Sequence, residues 1–118
     1  MLNTLNPNPA ERRRHVRRKY RTSAHLCLAN SQEYFHATTL EIGAGGMSLY
    51  IEANLPTATH CIIDLNLPLF HGGWIKLELE AIVVRCIFSH QSAFKIALQF
   101  CNLPSEIQSE IQKFVDMQ

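Results

Sequence analysis

The chain has 118 residues, 47% of them hydrophobic and 18% charged, with a formal net charge of +1. That describes one globular domain able to bury a core without staples; it excludes a large multidomain enzyme and a disordered chain, and no apolar run approaches the roughly 20 residues of a membrane span. The balanced charge hides a segregation: residues 12–21 read RRRHVRRKYR, six Arg and one Lys without an acid, while the rest holds four basic and ten acidic residues.

Taken in chain order, residues 1–10 are rich in Asn and Pro and read as a flexible leader. They carry no apolar core with a small-residue cleavage site, so no signal peptide is expected, and a cytoplasmic location is. The basic decapeptide follows, and clustering of this kind points to an anionic partner. Short β signals come next: residues 20–29, then the aromatic and β-branched stretch 34–42. Gly43, Gly45 and Gly46 interrupt the pattern, and residues 47–51 alternate again.

Ile63, Leu65 and Leu67 alternate with Asp64 and Asn66, and Ile75, Leu77, Leu79 and Ala81 alternate with Lys76, Glu78 and Glu80. Phe94, Ile96, Leu98 and Phe100 continue the period-2 pattern, which puts one face in a core and the other in water. Gly72-Gly73 and residues 89–92 read as turns. The period then changes. Ile107, Ile111, Phe114 and Val115 share one helical face. Pro104 suits a first helical turn, and Ser105 with Gln108 suits a capping box; the two place the start a residue or two apart. Six short strands and a terminal helix predict a mainly β protein: a six-stranded antiparallel barrel, closed against exposed edges, with a C-terminal α-helix. One domain over 11–118 follows the leader.

Cys27, Cys61, Cys86 and Cys101 form no C-x-x-C pair and lie at no zinc-site spacing from a His. They read as small buried apolar residues of a reducing compartment. No metal site is expected among the six scattered histidines. No catalytic residue is expected either, because no G-x-S-x-G, Ser/His/Asp spacing or recognisable carboxylate pair is present.

Two features carry chemistry. Arginine forks recognise phosphate and the guanine Hoogsteen edge bidentately, and glycines permit positive φ or close approach of backbone to a ligand. Together they resemble a known arrangement. Glu11-Arg12-Arg13-Arg14-His15-Val16-Arg17 is similar to the RxxxR motif that opens the PilZ domain, with Arg13 and Arg17 as the defining pair. Twenty-four residues after Arg17, Glu41-Ile42-Gly43-Ala44-Gly45-Gly46 stands where that family has [D/N]xSxxG. Ala81-Ile82-Val83-Val84-Arg85, a turn, Phe94–Phe100 and the helix resemble the back half of the same domain, so the likeness spans roughly residues 11–117.

The resemblance implies a six-stranded barrel with a C-terminal helix, and binding of cyclic di-GMP, a bacterial second messenger. Arg13 and Arg17 would be the main grips on phosphate and guanine edges, with Arg12 and Arg14 assisting. Glu41, Gly43 and Gly46 would occupy the second motif. Glu41 is one methylene longer than Asp, Gly43 lacks the motif's hydroxyl, and only Gly46 matches. Arg85, on the fifth strand, would either add a ligand contact or, the favoured reading, stand as an ordinary exposed strand residue. The expected function is a cyclic di-GMP receptor that orders its arginine arm on binding and signals to an effector protein. The alternative is a degenerate member that binds no nucleotide and acts through protein contacts. The acidic body argues against a large nucleic-acid surface, and no cofactor beyond the cyclic di-GMP ligand is implied.

Overall fold

Each alternating segment forms a strand and buries the face that its apolar residues share. A computed structural model describes residues 16–117. Its strands are β1 (Arg17–Lys19), β2 (Ser23–Leu28), β3 (Tyr34–Gly43), β4 (Gly46–Ile51), β5 (His60–Pro68), β6 (Trp74–His90) and β7 (Ala93–Phe100), followed by helix α1 (Ser105–Asp116). Neighbours run in the order β3-β2-β5-β6-β7-β4, and β4 returns to pair with β3. All pairings are antiparallel, so β2 to β7 close into the expected six-stranded barrel. Closure leaves no free edge in these six strands.

β1 stands outside the ring and pairs only with β3, from Arg17↔Gly43 to Lys19↔Glu41. Of the β-compatible stretch 20–29, residues 23–28 form β2, and the separate β1 precedes it within the basic decapeptide. Between β1 and β2 the pairing with β3 slips by one residue, since Lys19↔Glu41 gives way to Ser23↔Thr38. Thr39, fully buried, holds this slip. Its hydroxyl accepts from the Thr22 N–H at 2.9 Å and donates to the Tyr20 carbonyl, satisfying groups that a regular ladder would have paired.

The barrel interior is filled from alternate positions: Met47, Leu49 and Ile51 on β4, Cys61, Ile63, Leu65 and Leu67 on β5, Leu77, Leu79, Ala81 and Val83 on β6, Ile96 and Leu98 on β7. Ile111, Phe114 and Val115 bring the apolar face of α1 into the same core. Burying each such side chain is worth about 1.5–3 kcal/mol over leaving it in water. Among the described residues no helix is long and apolar enough to cross a membrane.

Turns and caps differ in detail from the expectation. Gly72 and Gly73 form their turn at φ 98° and 81°, a region that favours glycine. β6 runs to His90, so the second turn narrows to Gln91 and Ser92, at φ 52° and 69°. The capping box does not form: Pro104 is the N-cap and Ser105 already lies inside the helix, so no side chain caps the end. Of the cysteines only Cys61 is fully buried; Cys27, Cys86 and Cys101 are partly exposed, and all four are free. Burial pushes the Cys61 thiol up to about 12.

Candidate functional site

β1 is three residues long, and its alternation sends successive arginines opposite ways. Arg18, paired with core-facing Ile42, reaches the helix: its Nη1 donates to the Phe114 carbonyl at 2.8 Å, and its guanidinium lies 4.1 Å from the Phe114 ring centroid. Tyr20 meets the same ring edge-on at 4.9 Å and donates its hydroxyl to the Asn66 carbonyl at 2.7 Å. Arg17 turns to the outer face of the barrel, where its Nη1 donates to Glu41 Oε1 at 3.4 Å. With side chains 28% and 31% exposed, this pair is worth about 0.2–1 kcal/mol.

The glycines make the approach feasible by size and not by positive φ; among the described residues only Gly72 and Gly73 of the glycines have positive φ. A Cβ on Gly43 would lie 2.6 Å from the Val16 carbonyl oxygen and 2.9 Å from Arg17 Cγ. A Cβ on Gly46 would collide with the Leu98 carbonyl and stand 3.3 Å from an Arg17 terminal nitrogen. Arg17, Glu41, Gly43 and Gly46 thus come together at the rim of the barrel. Arg12, Arg13, Arg14 and the 1–10 leader lie outside the described residues.

Glu41 and Arg85 reach the outer face through two β-bulges. On β3 the core positions are Ala37 and Thr39, and strict alternation would send Glu41 inward. An extra residue at Leu40 shifts the phase, so that Glu41 faces out and Ile42 faces in. On β6 the core positions run Leu77, Leu79, Ala81, Val83, and an extra residue at Val84 turns Arg85 outward in the same way. Bulges re-aim side chains, and these two do so for opposite charges on one surface.

Register then lines up one row across five strands. Lys19 faces Glu41, Glu41 faces Ser48, Ser48 faces Ala97, and Ala97 faces Arg85. Arg17, Glu41, Ser48, Arg85 and Lys95 line a pocket of about 210 Å3 along this row. A second, of about 590 Å3, shares Glu41 and Lys95 and adds Lys19, Arg21 and Tyr50. The two expose five cations around one carboxylate. At the floor of the first is Ser48, only 3% exposed, whose Oγ is buried without a hydrogen-bond partner. An unsatisfied buried hydroxyl costs about 1–3 kcal/mol. A separate groove of about 470 Å3, between the β5–β6 turn and α1, contains Phe70, Lys113 and Met117 and none of the arginines.

The sequence favours Arg85 as an exposed strand residue over an added ligand contact, and it does not single out Ser48 or Lys95. The signal for Arg85 was available, a charge standing in the core phase of its strand. Ser48 and Lys95 stand in outward phase, and no sequence signal marks them. Among the described residues no cluster of three or more His, Cys, Asp or Glu is arranged to hold a metal ion.

One family model matches the amino-acid sequence that forms this barrel and its cationic pocket. The PilZ domain model matches residues 11–117, and the chain belongs to that family, one of ligand-binding receptors and not of enzymes. Similar folds include the Bacillus subtilis inhibitor of motility MotI/DgrA, at TM-score 0.75 and 17% identity, over 90% of this chain and 50% of that one. The YcgR structure from Escherichia coli in complex with c-di-GMP aligns at TM-score 0.70 and 16% identity, over 90% of this chain and 45% of that one. The PilZ domain of YcgR with c-di-GMP aligns at TM-score 0.64 and 14% identity, over 90% of both. The chain spans about half the length of the first two. No curated protein sequence matches it significantly.

Proposed function

We propose that the protein is a cyclic di-GMP receptor whose arginine arm, from Arg12 to Arg17, closes over the ligand against the barrel wall and presents the result to an effector protein. The observation that carries this reading is the convergence of Arg17, Glu41, Gly43 and Gly46 beside a cationic pocket. Arg13 and Arg17 grip phosphate and guanine edges, Arg12 and Arg14 add charge, and Gly43 and Gly46 keep the rim free of side chains. Glu41 offers an acceptor to a guanine N–H pair. A phosphate displaces Glu41 from Arg17 readily. The half-exposed ion pair is worth about 0.2–1 kcal/mol, whereas charge-assisted bonds to phosphate are worth about 1.5–3 kcal/mol. The missing hydroxyl at Gly43 costs about 0.5–1.5 kcal/mol, up to roughly tenfold in affinity, which weakens binding without ending it.

Calorimetric titration of the purified protein with cyclic di-GMP tests this. Heat of binding is expected, with amide NMR shifts along residues 12–17 as the arm orders. Neither heat nor shifts at high micromolar ligand would overturn it.

A second reading has a specific observation in its favour. Position 43 has no room for a serine while β1 is in place, and Arg17 already has a carboxylate partner. On this reading the domain binds no nucleotide and works through protein contacts. Titration of the wild type and of Glu41→Asp, which leaves β1 seated, distinguishes the two: binding that arises only in the variant marks the native protein as degenerate.

A further inference from the structure

Ser48 lies on the solvent-facing side of β4, between Glu41 and Ala97, yet it is 97% buried. A serine in that position is covered only if longer side chains close over it. Those lining its pocket are Arg17, Glu41, Arg85, Ile87 and Lys95. Its hydroxyl has no partner beneath them. The bulge at Val84 places Arg85 here opposite Ala97, and Lys95, which pairs with Ile87 on β6, lines the same pocket. Three cations, a buried donor with nothing to bond and a single carboxylate describe a place for an anionic oxygen.

We infer that Ser48, Arg85 and Lys95 form a phosphodiester subsite on the barrel wall, distinct from the arm and exposed when Arg17 leaves Glu41. The Ser48 hydroxyl donates to a phosphate oxygen, the Arg85 guanidinium forks onto the same group, and Lys95 supplies the second charge. The inference rests on the receptor reading for the identity of its ligand, and on the unpartnered hydroxyl and the two bulges for its position. It gives the β6 bulge a purpose, because the unshifted strand would turn Arg85 into the core.

The test is calorimetric titration of the full chain and of Ser48→Ala and Arg85→Gln with cyclic di-GMP, paired with amide NMR. Arg85 is exposed, so its variant is expected to fold as the wild type does. Ser48→Ala should weaken binding about three- to tenfold, and Arg85→Gln about tenfold or more. Wild-type affinity in both variants would overturn the subsite and leave the receptor reading standing. If the wild type itself gives no heat, the receptor reading fails, and the wild type and Arg85→Gln are titrated with inorganic phosphate instead. Shifts at the Ser48 and Ala97 amides that Arg85→Gln removes would uphold the anion subsite; their absence would overturn it.

Discussion

Arg18 donates a 2.8 Å hydrogen bond to the carbonyl of Phe114, one residue along the chain from the arginine that pairs with Glu41. A three-residue strand therefore touches the pocket with one side chain and the C-terminal helix with the next. The pocket and α1 are thus linked to the same three-residue strand by adjacent side chains. The contact also stabilises the fold. A hydrogen bond from a charged donor contributes about 1.5–3 kcal/mol, and a cation over an aromatic ring about 0.5–2 kcal/mol. Solvent at this partly exposed site lowers both. Arg18→Ala should cost about 1–3 kcal/mol in urea unfolding, and an unchanged midpoint would show that β1 does not hold the helix.

Gly43 pairs with Arg17 at the start of β1. A side chain there meets a backbone carbonyl, which cannot rotate away, as well as the Arg17 stem. Gly43→Ser should therefore push β1 off its strand, with a loss of about 1–3 kcal/mol and faster amide exchange across Arg17–Lys19. Unchanged exchange would mean that β1 accommodates the hydroxyl in place.

Cys61 supplies a prediction in pH. Burial in the barrel holds its thiol at about 12, against a reference value of 9.0, with Cys101 and Cys27 adding smaller contributions in the same direction. The folded state thus keeps a proton that the unfolded chain loses. The stabilisation is complete below pH 9 and disappears as pH rises towards 12. Unfolding free energy should fall more steeply between pH 9 and 11 in the wild type than in Cys61→Ala. Identical slopes would contradict the burial of this thiol. Partly exposed Cys27 and Cys86 should alkylate in the native protein well before Cys61 does.

The barrel was legible because its strands alternate cleanly. Leu77, Leu79 and Ala81 against Glu78 and Glu80 settle both the strand and its inward face. The helix was legible from the spacing of Ile111, Phe114 and Val115. What escaped were the breaks in period. Glu41 and Arg85 each occupy a core phase, and a charge there requires either a buried partner or a bulge; both strands use the bulge. The slip between β1 and β2 left a trace in Thr39, a polar residue in a core position whose hydroxyl closes the gap. The burial of Ser48 left none, because it depends on which long side chains fold over it from four other strands. Gly43 and Gly46 were expected to matter for the freedom of their backbone or for close approach, and close approach is what the structure uses.

The receptor reading stands most directly on Arg17. Titration with cyclic di-GMP should give saturable heat in the wild type. Arg17→Ala should weaken that binding about 10- to 150-fold, the equivalent of about 1.5–3 kcal/mol of charge-assisted hydrogen bonding to phosphate. Equal affinity in the two proteins, or no binding in either, would contradict the account.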